Sequence, residues 1–121
     1  MKSVDIAFSP CPNDTFIFHA MLHGLVDGCG YEFKPLIHDV ETLNRLAFEG
    51  STAVTKLSFY SYLLLKERYA MLSSGAALGH GCGPLLVARP GAKNTGRMSI
   101  AVPGMHTTAY LLLRLWSPGG V

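Results

Sequence analysis

The sequence lacks the features that mark exported, membrane-spanning or disulfide-stabilised proteins. It has only three cysteines, an odd number without paired spacing, which argues against a disulfide framework and favours a reducing cytoplasm. Its longest apolar runs, residues 60–65 and 109–113, fall well short of the roughly 20 residues that cross a bilayer. The apolar run at residues 4–8 is interrupted by Asp5 and is shorter than the core of a signal peptide. We therefore expect a cytoplasmic protein without a membrane partner.

Charge is also sparse. Ten basic and eight acidic residues give a formal net charge of +2, and the basic residues form no cluster, which argues against nucleic acid as a partner. By contrast, 49% of the 121 residues are hydrophobic, enough for a folded domain to bury a core. We therefore expect a globular protein that does not bind nucleic acid.

The first half of the chain alternates between strand and helix patterns, which predicts an α/β fold with a parallel-rich sheet. The predicted strands are residues 4–8, residues 31–33 with an end at Pro35 or a continuation to residue 37, and residues 52–55. The predicted helices are residues 15–23, 40–49 and 59–68.

The predicted helix at residues 40–49 has the clearest boundaries. Asp39 can cap its first turn, and Gly50 is a natural stop. Its apolar residues recur at helical spacing: Val40, Leu43, Leu46 and Ala47. The polar residues predicted to face solvent are Glu41, Asn44, Arg45 and Glu49.

The second half predicts further strands at residues 69–72, 84–88 and 99–102, and a helix at residues 108–115 capped by Thr107. Composition divides the chain into a first lobe at residues 1–92, a linker at residues 93–98 and the start of a second lobe at residues 99–121. One strand and one helix cannot make a domain, so we interpret the chain as a fragment of a two-lobed protein.

Three polar corners connect predicted strands to predicted helices. The first corner is residues 9–15, where Asn13 or Asp14 can start a helix; the second is residues 56–58; the third is residues 104–108. In parallel sheets such corners share the carboxyl edge, where helix N-termini offer N–H groups to an anion. The sequence therefore predicts a site for a small carboxylate, with Lys56, Ser58, Thr107 and Thr108 as candidate ligands.

Each corner also has a purely structural interpretation. The first corner can be a rigid connection between strand and helix, Lys56 can extend to solvent, and Ser58 can act only as a helix cap. His19 and His23 lie four residues apart but lack the glutamate of a zinc protease, so we predict no metal site. Cys11 would need His80 or His106 nearby to act as a nucleophile.

Five stretches together resemble the 1,4-dihydroxy-6-naphthoate synthase family of the futalosine route to menaquinone. They are residues 9–16, 39–44, 55–58, 79–84 and 103–109. The resemblance runs nearly end to end. It implies a periplasmic-binding-protein-like (type 2) lobe and a lyase that cleaves cyclic dehypoxanthinyl futalosine without a metal or other cofactor.

The resemblance also implies roles for individual residues. Substrate would contact Lys56, Leu57 and Ser58, and the threonine pair Thr107 and Thr108. The position of the first corner, and not the resemblance, adds Asn13 and Asp14 as candidate ligands. The family's proton-accepting histidine belongs to an Ile-Ile-His-Glu stretch, and this sequence has no His-Glu dipeptide. We therefore assign no catalytic residue to this chain.

Several alternatives stay open at this point. The same fold would suit a solute-binding protein, although the chain shows no export segment, and the related chorismate dehydratase has a similar architecture. Exposed apolar surface in an incomplete lobe would favour a homodimer or misfolding.

Overall fold

The computed structural model describes residues 1–92 and 99–119 and shows an α/β architecture. Three parallel strands form one sheet in the order β2–β1–β3: β1 (Lys2–Phe8), β2 (Tyr31–Ile37) and β3 (Val54–Thr55). The helices in the described residues are α1 (Pro12–Leu22), α2 (Val40–Glu49), α3 (Phe59–Leu65) and α4 (Thr108–Trp116). The α/β prediction is thereby confirmed, and β2 takes the longer of its two predicted forms.

Strand β1 is the centre of the sheet and supplies much of the core. Ile6, Ala7 and Phe8 are buried, and the Phe8 ring packs on Phe18 of α1 at 4.8 Å between centroids. Further buried apolar side chains come from the helices: Leu43, Ala47, Leu65 and Tyr110. Tyr110 brings α4 into this core, and α4 lies against α3.

Helix α2 begins and ends as predicted. The Asp39 carboxylate accepts the backbone N–H groups of Glu41 and Thr42 at 3.0 and 3.1 Å, and Gly50 ends the helix with φ 71°. Hydrogen bonds from Thr42, the side-chain hydroxyl foremost, hold the pKa of Asp39 below its ordinary value.

Helix α1 begins differently from the prediction. Cys11 is its N-cap without a side-chain hydrogen bond, and Pro12 occupies the first turn. The prediction that Asn13 or Asp14 starts the helix is therefore wrong. Proline has the φ angle of a first helical residue and no N–H to satisfy, which makes a side-chain cap dispensable.

The strands predicted at residues 69–72, 84–88 and 99–102 are absent, and those predictions are wrong. A β-prone sequence becomes a strand only where a neighbouring strand pairs with its backbone. Strand β3 offers two paired residues, and the apolar side chains of the first two segments are largely exposed. The predicted linker at residues 93–98 lies outside the described residues.

Within residues 1–92 and 99–119, none of the helices has both the length and the apolar content needed to span a bilayer.

Candidate functional site

The carboxyl ends of β1 and β3 lie side by side at one edge of the sheet. The Lys56 N–H, just after β3, donates to the Ala7 carbonyl of β1 at 2.7 Å. The chain passes from β1 to β2 on one side and then crosses to β3 on the other. Ligands in open α/β sheets bind in the crevice beside such a reversal of strand order.

The first and second corners meet through Asp14 and Lys56. The Lys56 Nζ lies 3.7 Å from Asp14 Oδ1 and donates to the Gly75 carbonyl at 2.6 Å. The Asp14 carboxylate is 5% exposed and accepts the N–H and hydroxyl of Ser9 at 3.0 and 2.8 Å. Lys56 is thus a partly exposed ammonium held by a buried carboxylate, and the ion pair as a whole is neutral.

The second and third corners meet through Asn44. Its Oδ1 accepts the Ser58 N–H at 3.0 Å, and its Nδ2 donates to Ser58 Oγ at 3.1 Å and, at the distance limit of 3.5 Å, to the His106 carbonyl. That carbonyl also accepts the Ser61 hydroxyl at 2.9 Å. We call Asn44, Glu41, Ser58, Ser61 and His106 the Asn44 cluster.

Glu41 and Gly104 bring the third corner close to α2. The Glu41 carboxylate accepts Asn44 Nδ2 at 3.3 Å and lies 3.4 Å from His106 Nδ1, while the His106 ring packs on Phe48 at 4.6 Å between centroids. A Cβ atom at position 104 would overlap the Glu41 carboxylate. A larger residue at position 104 would therefore displace the Glu41 side chain.

The threonine pair begins α4. The Thr107 hydroxyl is buried, donates to the Gly104 carbonyl at 2.7 Å and accepts the Tyr110 N–H at 3.3 Å, which confirms Thr107 as the predicted cap. Thr108 Oγ1 accepts the Tyr60 N–H of α3 at 3.2 Å. The first N–H groups of a helix have no partner inside it. The Thr107 hydroxyl takes that of Tyr110, which leaves those of Thr108 and Ala109 for an acceptor.

The structure thus gives five of the seven predicted site residues partners in separate groups: Asp14 pairs with Lys56, Ser58 belongs to the Asn44 cluster, and Thr107 and Thr108 lie at the start of α4. Leu57 is half-buried and lies between Lys56 and Ser58 in the sequence. Asn13 is exposed on the first turn of α1. Ligand binding by these residues stays a prediction.

The prediction that Asn44 faces solvent is wrong, because Asn44 is 0% exposed. Sequence reasoning placed it outside on polarity alone. Its position gave the opposite signal, since residue 44 lies four after Val40 and three before Ala47, on the apolar face of α2.

The remaining sequence candidates are His19, His23 and Cys11. The His19 and His23 rings are exposed and stack at 4.2 Å, and within residues 1–92 and 99–119 no three His, Cys, Asp or Glu side chains gather as metal ligands. Cys11 is exposed and contacts the Ser9 hydroxyl at 2.9 Å. An open cavity of about 510 Å³ lies along α1, lined by Pro12, Thr15, Phe16, His19 and Ala20.

Comparison with known proteins adds an independent line of argument. Residues 4–121 match the model of the menaquinone biosynthesis family. The chain is 50% identical to 1,4-dihydroxy-6-naphthoate synthase of Thermus thermophilus over 121 residues, which are 100% of this chain and 44% of that protein. It is 41% identical to the synthase of Streptomyces coelicolor over 98% of this chain and 43% of that one.

A crystal structure of an Archaeoglobus fulgidus protein has the same fold, with a TM-score of 0.82 and 42% sequence identity. It covers 94% of this chain, and the match covers 42% of the Archaeoglobus protein. The chain therefore spans less than half the length of the proteins to which it is similar.

Proposed function

The chain belongs to the menaquinone biosynthesis family, and from this we propose that it is part of a carbon–carbon lyase, 1,4-dihydroxy-6-naphthoate synthase. The names of both curated relatives support this activity. The proposed substrate is cyclic dehypoxanthinyl futalosine, a small carboxylate, and no cofactor is required. In this proposal residues 1–92 are a periplasmic-binding-protein-like lobe of a cytoplasmic enzyme.

The observation that carries the proposal is the contact between the corners, Asp14 with Lys56 and Asn44 with both Ser58 and His106. Lys56 has one strong hydrogen bond, to the Gly75 carbonyl, and lies beyond hydrogen-bond distance from Asp14. A substrate carboxylate would replace that neutral carbonyl as the acceptor of the Lys56 hydrogen bond, because an ionised acceptor makes the stronger bond. Asp14 is buried and acts through Lys56 by holding the ammonium in place.

The remaining contacts would orient the substrate. Ser58 and Thr108 offer hydroxyl groups to its oxygen atoms, and the start of α4 offers backbone N–H groups. Thr107 contributes mainly through its backbone, because its hydroxyl already serves Gly104 and Tyr110. Leu57 and Asn13 would line the same edge. The chain thus supplies groups that hold a substrate, and we assign it no catalytic base.

A binding titration tests this proposal. We expect the purified chain to bind 1,4-dihydroxy-6-naphthoate, followed by fluorescence, and Lys56→Gln to weaken binding about tenfold or more, as the loss of a charge-assisted hydrogen bond would. Lys66→Gln is the matched control, since Lys66 is exposed at the far end of α3. Absence of binding, or equal affinity of the Lys56 variant and wild type, would contradict the proposal.

Turnover is a separate test. We expect this chain alone to release no naphthoate from cyclic dehypoxanthinyl futalosine, because it contains no His-Glu dipeptide. Sustained product formation would show that a catalytic base lies among its own residues.

A further inference from the structure

We infer that Asn44 is a positioning residue that sets both the location and the hydrogen-bonding direction of Ser58. The inference rests on the proposed function, because Ser58 is one of the groups proposed to hold the substrate. It adds a residue that contacts no substrate in this proposal and yet determines how the second corner presents its hydroxyl group.

The amide of Asn44 has a single orientation that satisfies its neighbours. The Ser58 N–H is a donor, so the atom 3.0 Å from it must be the amide oxygen. The amide nitrogen then faces three oxygen atoms, Ser58 Oγ at 3.1 Å, Glu41 Oε2 at 3.3 Å and the His106 carbonyl at 3.5 Å. The carboxylate and the carbonyl can only accept, which fixes the nitrogen on that side.

This orientation determines what Ser58 can do. Because Asn44 Nδ2 donates to Ser58 Oγ, the hydroxyl acts as an acceptor in that bond, and its own hydrogen is directed elsewhere. Ser58 is thus prepared to donate to an acceptor on the ligand, such as a carboxylate or carbonyl oxygen. The two bonds from one buried amide also hold both the backbone and the side-chain rotamer of Ser58.

Ser61 shows that this role differs from general support. Its hydroxyl, also fully buried, donates to the His106 carbonyl at 2.9 Å and so joins α3 to the third corner, whereas the bonds to the Ser58 side chain and N–H come from Asn44. Removal of Ser61 therefore weakens the packing of the third corner, whereas removal of Asn44 also releases Ser58. Ser61→Ala is therefore the control for the Asn44 variants.

The test compares Asn44→Asp, Asn44→Ala and Ser61→Ala with wild type in the naphthoate titration, at a temperature where circular dichroism shows each variant folded. The aspartate keeps an acceptor for the Ser58 N–H but would accept, instead of donate, at Ser58 Oγ. We expect Asn44→Asp and Asn44→Ala to weaken binding about tenfold and Ser61→Ala less than about threefold. Wild-type affinity in Asn44→Asp, or equal losses in Asn44→Ala and Ser61→Ala, would overturn the inference.

Amide resonances separate this inference from the proposed function. We expect Asn44→Asp and Asn44→Ala to shift the ¹H–¹⁵N signals of both Ser58 and Thr107, and Ser61→Ala to leave the Ser58 signal in place. If wild type binds no naphthoate while these shifts occur, the proposed function fails and the positioning role stands. An unmoved Ser58 signal in the Asn44 variants would overturn the positioning role by itself.

Discussion

In the Asn44 cluster and in the segment at residues 69–92, burial is the opposite of what side-chain polarity alone predicts. Asn44 and Ser61 are polar and 0% exposed, whereas the apolar Leu78 and Leu85 are 91% and 84% exposed. The difference lies in their neighbours. Both polar ends of the Asn44 amide have hydrogen-bond partners, while the 69–92 segment contains no helix or strand. In this chain the available partners, more than the polarity of a residue, decide what is buried.

The largest expected difference in stability is between truncation of a residue in the Asn44 cluster and truncation of one in the 69–92 segment. Asn44→Ala should lower the free energy of unfolding by about 3 kcal/mol, because it removes a fully buried side chain and leaves the part-buried Ser58 N–H without its acceptor. Leu85→Ala should change it by no more than about 0.5 kcal/mol, because the side chain is already in water. Urea unfolding measures both. A larger loss in the leucine variant would break the comparison.

A smaller effect is expected where the third corner approaches α2. Gly104→Ala should cost about 1–2 kcal/mol, since the added methyl group displaces the Glu41 carboxylate from Asn44 and His106. Gly83→Ala is the control in the 69–92 segment, because a Cβ atom there meets nothing within 4 Å. We expect its thermal unfolding to be unchanged or slightly improved. Equal unfolding temperatures of the two alanine variants would show that Glu41 does not lie close to Gly104.

The smallest effect concerns the exposed cap of the same helix that carries the buried amide. Because Thr42 lowers the pKa of Asp39, the cap stabilises the fold at a pH above the ordinary aspartate value, and this contribution disappears as the pH falls through the lowered one. Asp39→Asn keeps a capping oxygen that does not titrate. Urea unfolding should therefore show that wild type is more stable than Asp39→Asn at neutral pH. The difference in their free energies of unfolding should shrink at acidic pH. A gap independent of pH would exclude this account.

Local chemistry made much of the fold predictable. The cap at Asp39, the stop at Gly50 and the cap at Thr107 depend on neighbouring residues alone, and all three are found where the sequence placed them. The strands at residues 69–72, 84–88 and 99–102 required a partner strand, which sequence patterns do not supply. They were predicted from apolar runs, and the structure contains none of them.

The local sequence predicted the corners of the candidate site but not the contacts between them. Lys56 and Ser58 follow β3, at the edge where parallel strands end. The strand predicted before Thr107 is absent, so only the capping side chain identified that residue. The residues that join the corners, Asn44 and Glu41, come from α2 and are distant in sequence from what they contact. The helical position of Asn44 on an apolar face was the one local signal, and its polar side chain concealed it.

The most direct test of the account asks whether one ligand touches two corners at once. Intermolecular nuclear Overhauser effects can be measured between the aromatic protons of bound 1,4-dihydroxy-6-naphthoate and the amides of the ¹⁵N-labelled chain. We predict that the same molecule shows contacts to Ser58 and to Thr108. Contacts confined to one of these residues, or to the exposed face of α1 around Phe16, would contradict the central claim that the corners form a single site.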